Sequence, residues 1–263
     1  MSRQMLRGLV LETRDHGERD AVVTIALREE LVRVFARGVQ RETSKNRRLC
    51  LPFEEVEIET EQSGTGMFRL IHGSLVAEYS RIGENLRMQA VCLAVNEAIL
   101  HTQMHPALYE RLEQLWKSCE ARDADWMGRA ALVMTMLLRQ EGISPQVDGC
   151  AICGSVSDIC TMDVDNAGFL CVRHGKGRSR WPADRLRRMR HAVKVPAGQE
   201  AAVSLTGFTL EDIRFLVHWF SRYSHTSLAG ERFLDSVARL YPENGSGTDD
   251  PLKVPDADDT DSI

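Results

Sequence analysis

Two periods divide the chain. Up to about residue 80, apolar residues recur at every second position; from about residue 82 they recur every three or four. The first half therefore predicts half-buried strands and the second predicts helices packed on one face. In segment 20–28, Ala21, Val23, Ile25 and Leu27 alternate with Val22, Thr24, Ala26 and Arg28. Segment 31–37 sets Val32, Val34 and Ala36 on one face and Leu31, Arg33, Phe35 and Arg37 on the other. Segment 55–60 turns Val56, Ile58 and Thr60 inward and Glu55, Glu57 and Glu59 outward. A first strand near 5–12 and a last near 67–77 complete the set, with turns at His16-Gly17, Glu29-Glu30 and Gly64-Thr65-Gly66. Five short antiparallel strands within residues 1–80 predict a small closed barrel of the OB type.

The helical half begins with residues 84–103, whose apolar positions are too dense and too many for a strand. Pro106 suits the first turn of a second helix, followed by Leu108, Leu112, Leu115 and Trp116 at helical spacing. Residues 125–140 are apolar nearly all round, so a third helix is expected to be buried, with Gly142 at its end. Thr209, with Asp212 three residues on, reads as the N-cap of a later helix, and a final helix covers about 227–239. The fold class is α+β: an OB-type barrel over 1–80, then a helical domain over 81–241 that carries a zinc-binding loop at 148–176. Residues 242–263, rich in Gly, Pro and Asp, are expected to form a disordered acidic tail.

The loop at 148–176 follows from four residues. Cys150-x2-Cys153 and Cys171-x2-His174 are separated by seventeen residues. An x2 spacing lets two side chains turn inward from one tight knuckle, and two knuckles supply the four ligands that zinc takes in a tetrahedron. Four protein ligands leave no position for a catalytic water, so the expected ion is structural, a single Zn2+. A redox pair at Cys150 and Cys153 does not explain the second knuckle, and a disulfide framework suits small secreted chains. Cys160 competes as a ligand if His174 points away.

Charge is segregated along the chain. Residues 1–48 carry 11 Lys/Arg against 7 Asp/Glu and residues 144–242 carry 13 against 10, whereas residues 243–263 carry 1 against 7. The net charge of −5 thus conceals two basic regions, and a nucleic-acid partner is allowed because phosphates respond to the local field. The first region holds Arg37, Arg41, Lys45, Arg47 and Arg48, interleaved with Thr43, Ser44 and Asn46 as further phosphate donors. On a barrel of the OB type, a basic loop is a candidate DNA contact. The second region includes Arg178, Arg180, Arg185 and Arg188, with Asp184 alone opposing them in sequence; a helix over 182–191 places Arg185 and Arg188 on one face. The bland alternative for both regions is a solvated face. The acidic tail is a candidate competitor for the same basic surfaces.

No apolar run reaches the roughly 18–20 residues that cross a bilayer, and the first residues lack a secretory signal, so a cytoplasmic protein with reduced thiols is expected. The carboxylates do not cluster with histidines and no phosphate-binding glycine loop is present, which argues against a metal-dependent nuclease or any other enzyme. The remaining alternative is a zinc-ribbon transcription or RNA-binding factor.

The chain resembles the bacterial DNA repair protein RecO family. The resemblance rests on LRGLVLETRDHGERDAVVTIAL at the first two strands and on GVQRETSKNRRLCLPFEEVEI, a basic segment running into Leu-x-Pro-Phe. It continues in LLRQEGISPQVDGCAICG and FLCVRH at the two knuckles. It covers about 1–240, in order, and places zinc ligands on Cys150, Cys153 and Cys171. The fourth position departs from the family, where many relatives have cysteine and this chain has His174. The resemblance implies a recombination mediator that binds single- and double-stranded DNA and anneals complementary strands. It also implies partnership with SSB and RecR, indirect action on RecA, and a nucleoid-associated place in the cytoplasm.

Overall fold

The computed structural model describes residues 3–62, 66–196 and 205–241. Five strands come first: β1 (Arg3–His16), β2 (Asp20–Ala26), β3 (Leu31–Ala36), β4 (Glu54–Gln62) and β5 (Phe68–Glu78). β1 lies antiparallel to both β2 and β4, β2 to β3, and β4 to β5. A short parallel join, Val34 facing Phe68 and Phe35 facing Arg69, completes the ring. The strands form a closed barrel in the order β1-β2-β3-β5-β4, so one join departs from the all-antiparallel expectation.

The predicted alternation fills the interior: Val10, Val23, Ile25, Val32, Val34, Val56 and Ile58 pack together there. A 3-10 turn at Arg48–Cys50 adds Leu49 and Cys50 to this core. β1 breaks the alternation at a bulge between Val10 and Glu12. Leu9 and Leu11, on either side of Val10, face outward, where with Ala26 they join the helical core. Gly8 permits the close approach of β1 and β2, since a Cβ there would stand 2.2 Å from the Ala26 carbonyl oxygen. Glu55, expected to face solvent, is buried instead. The helices cover this end of the barrel, and Arg7 Nε donates to the Glu55 carboxylate at 2.9 Å.

The helices are α1 (Ser80–Glu84), α2 (Leu86–Ile99), α3 (Pro106–Ala121), α4 (Trp126–Gln140), α5 (Ala183–Lys194), α6 (Leu210–Ser224) and α7 (Ala229–Leu240). The helix expected over 84–103 is α2, shorter at both ends; it starts where the Asn85 side chain accepts from the Arg87 and Met88 amides, and the short α1 precedes it. Phe53 and Tyr79 each meet Trp116 of α3 edge-on at 5.5 Å, and Asn96 Nδ2 donates to the Leu11 carbonyl at 3.1 Å. Barrel and helices therefore share one continuous apolar contact. No described helix is long and apolar enough to cross a membrane. The acidic tail 242–263 lies outside the described residues.

Candidate metal centre and nucleic-acid interface

Between α4 and α5 the chain forms a hairpin that its sequence did not announce, β6 (Ile159–Asp163) paired with β7 (Gly168–Cys171). The first knuckle precedes it: the Cys150 carbonyl accepts the Gly154 amide at 2.8 Å, and Gly154 takes φ +72. The second follows β7, with the His174 and Gly175 amides donating to the Cys171 carbonyl. The hairpin thus brings two short turns, remote in sequence, to one point. It is anchored on the helical core by Val147, Met162 and Phe169. Tyr223 of α6 donates its hydroxyl to the Val164 carbonyl at 2.6 Å.

One ligand atom from each of Cys150, Cys153, Cys171 and His174 lies within 4.8 Å of the others. Cys153 Sγ and Cys171 Sγ stand 3.9 Å apart, and His174 Nδ1 stands 3.4 Å from both Cys150 Sγ and Cys171 Sγ. Tetrahedral bonds of the usual zinc lengths give edges of about 3.6–3.8 Å, so the donor set fits a four-coordinate ion. Burial alone would push the Cys150 thiol up, but the amides of Cys171, Cys153 and Ile152 and the His174 ring outweigh it and bring it down to about 6. A thiolate is the form a metal needs. Cys160, the competing ligand, lies on β6 and is not part of this cluster.

The basic loop after β3 is compact. The Arg41, Ser44 and Arg47 amides donate to the Gly38, Arg41 and Ser44 carbonyls in successive tight turns. Arg37, Arg41, Lys45, Arg47 and Arg48 are all exposed. Arg48 is ion-paired with Glu78 of β5. The Asn46 amide, expected to serve phosphate, is committed to the Ile71 carbonyl at 3.1 Å. Arg37 and Arg41 line an open hollow of about 500 Å3 together with Arg19, Asp20 and Gly38. Asp20 Oδ1 accepts the Gly38 amide at 2.6 Å, which fixes the loop against β2. Sequence reasoning missed Arg19 because it lies in the β1–β2 turn, eighteen positions before Arg37. Only the pairing of β2 with β3 brings the two turns together.

The second basic region differs from its sequence reading. Asp184 is not its only acid, because the fold supplies four more. Arg185 Nε donates to Asp212 Oδ1 at 2.6 Å, and an Arg188 terminal nitrogen lies 3.4 Å from Asp212 Oδ2. Arg178 pairs with Asp163 at 2.9 Å and stands 3.7 Å from Asp165; Arg190 and Lys194 pair with Asp148. Arg185 also lies 3.9 Å over the Trp181 ring. Among the described residues, no carboxylate pairs with the exposed Arg180 or Lys176. The candidate contacts Arg178, Arg185 and Arg188 therefore spend their charge largely within the fold, while Arg180 presents its charge to solvent.

A barrel with an arginine-lined hollow, fused to a helical body that a cysteine–histidine cluster staples, defines a two-part α+β class. Comparison with known sequences names it more closely. Residues 1–79 match the family model for the recombination protein O N terminal, and residues 82–223 match that for its C terminal. The chain belongs to the recombination protein O family, a family of DNA repair and recombination. Among its relatives, the DNA repair protein RecO of Bacillus cytotoxicus is 27% identical over 247 residues, covering 90% of this chain and 98% of the relative. The protein of the same name from Exiguobacterium sibiricum is 28% identical over 249 residues, covering 91% and 90%. That of Bacillus mycoides is 30% identical over 179 residues, covering 66% and 71%.

Proposed function

We propose that this protein is a non-enzymatic mediator of homologous recombination. It binds single- and double-stranded DNA, anneals complementary strands and, with RecR and SSB, promotes loading of RecA in the bacterial cytoplasm. The observation that carries this reading is the hollow of Arg19, Arg37 and Arg41 on a closed barrel in a chain of this family. The barrel, residues 1–80, is taken as an OB domain and residues 81–241 as the helical domain. Three guanidinium groups around one hollow replace counterions at successive phosphates, and the released counterions supply most of the affinity. Lys45, Arg47 and Arg48 extend this surface along the loop, and Arg180 adds a cation from the helical domain.

The ion held by Cys150, Cys153, Cys171 and His174 is proposed to be one zinc, chosen by three thiolates and an imidazole in a tetrahedral set. When bound, it supplies structure alone. The chain's own residues then hold β6, β7 and the start of α5 in place. Replacing Arg19, Arg37 and Arg41 together by Ala tests the reading. Anisotropy titrations of labelled DNA are expected to show weaker binding and a log K against log salt slope smaller by about one for each phosphate no longer neutralised. Unchanged affinity and slope would contradict it.

A further inference from the structure

Phe35 belongs to neither apolar core. On β3, Val32, Val34 and Ala36 point into the barrel, which turns Leu31, Arg33 and Phe35 outward. Leu31 is covered by the helical core, but Phe35 lies toward the opposite end of the strand. Its neighbour across β2 is Val22, which likewise belongs to neither core. A half-buried phenyl ring and an isopropyl group thus face outward side by side, away from the helices.

Several positions around the ring carry arginines. Arg69 faces Phe35 across the join with β5, and Arg33 and Arg37 stand two residues before and after it on the same face. Arg14 faces Val22 on the far side. Arg14 is paired with Glu12 and Arg69 with Glu61. Among the described residues, no carboxylate pairs with Arg33 or Arg37, and both are exposed. The His16 ring meets Phe35 at 5.6 Å and 87°, a T-shaped contact that leaves the two rings unstacked. Arg37 also lines the hollow of Arg19 and Arg41, so the aromatic patch and the anionic-ligand hollow are one continuous surface.

We infer that Phe35 is the base-stacking residue of this surface, taking one unpaired nucleobase on its ring while Arg33 and Arg37 hold the flanking phosphates. The inference rests on the DNA-binding reading above and adds to it a residue that tells single strands from duplex. A phosphate hollow serves both forms of DNA, because both present phosphates. A phenyl ring serves only the form whose bases are free, since duplex bases already stack on one another. Sequence choice is not required, because every base has a π face.

The test uses the full chain with Phe35→Leu and Phe35→Tyr, titrated against a labelled oligothymidylate and a blunt duplex of equal length. Phe35→Leu is expected to lose roughly tenfold in affinity for the single strand and to keep its affinity for duplex, with the salt slope unchanged. Phe35→Tyr, which retains a ring, is expected to bind both as wild type does, and a selective loss of single-strand affinity in it would also overturn the inference. Equal losses on both DNAs, or a single-strand affinity within twofold of wild type in Phe35→Leu, would overturn the inference while leaving the DNA-binding reading in place. Wild-type protein that binds neither DNA would overturn both.

Discussion

Arg185 Nε donates to the fully buried Oδ1 of Asp212 at 2.6 Å, and this bond ties α5 to the first turn of α6. The same carboxylate accepts the Thr209 amide at 3.1 Å, while the Thr209 hydroxyl accepts the Asp212 amide. Asp212 is thus at once the N3 partner in the capping box of α6 and the counter-charge for Arg185 and Arg188. Asp212→Ala is expected to cost about 3 kcal/mol of stability, because it removes two ion pairs and a helix cap. Arg185→Ala should likewise lower the melting temperature with little change in the salt slope of DNA binding. Arg180→Ala should do the reverse, and calorimetry beside anisotropy separates the two.

Glu54 gives the fold a pH dependence. Its side chain is buried at the end of β4, one carboxylate oxygen has no partner among the described residues, and Glu78 faces it across β5. Burial, then repulsion from Glu78, pushes its carboxyl up to about 7, against some relief from Arg48. The unfolded chain releases this proton first, so stability is lost as pH rises from about 4.5 to about 7 and stays lost above. Glu54→Gln is expected to raise stability by on the order of 1–3 kcal/mol at pH 8 and to change little at pH 5. Thermal melts at the two pH values check this, and an equal effect at both would contradict it.

The metal cluster predicts a stability effect first and a binding effect only through it. Cys153→Ser removes one donor from a four-donor set, so the ion is expected to be released and the melting temperature to fall. A chelator should reproduce the fall in wild type and add little in the variant. Metal content by mass spectrometry under native conditions reads the first point directly.

Arg47 and Arg48 are separable from the hollow. Arg48 is engaged by Glu78, whereas Arg47 is exposed with no carboxylate partner among the described residues. Arg47→Ala should therefore weaken DNA binding more than Arg48→Ala, and the double variant should flatten the salt dependence by about one to two phosphate equivalents at most. Unchanged binding in the double variant would remove this loop from the interface.

The strands were legible because the barrel core needs every second residue, as Val32, Val34 and Ala36 show. The N-cap at Thr209 was legible because capping is local in sequence. What escaped depends on packing between distant segments. Glu55 reads as solvent-facing until the helices cover it. Arg185 and Arg188 read as free cations until Asp212 arrives from 27 and 24 residues away. The β6–β7 hairpin is short, and its residues are buried on both faces, so no alternation marks it. The four metal-ligand candidates were visible from spacing alone, whereas Arg19 needed the register of β2 on β3 to join Arg37 and Arg41.

The arginine surface of the barrel is proposed to let this protein bring complementary strands together. The most direct measurement is annealing of complementary single strands coated with SSB, followed by fluorescence transfer between labelled ends. Wild-type protein is expected to speed duplex formation well above the protein-free rate, and the variant lacking Arg19, Arg37 and Arg41 is expected to remain near that rate. Wild-type protein that leaves the annealing rate unchanged, or a triple variant as fast as wild type, would contradict this role.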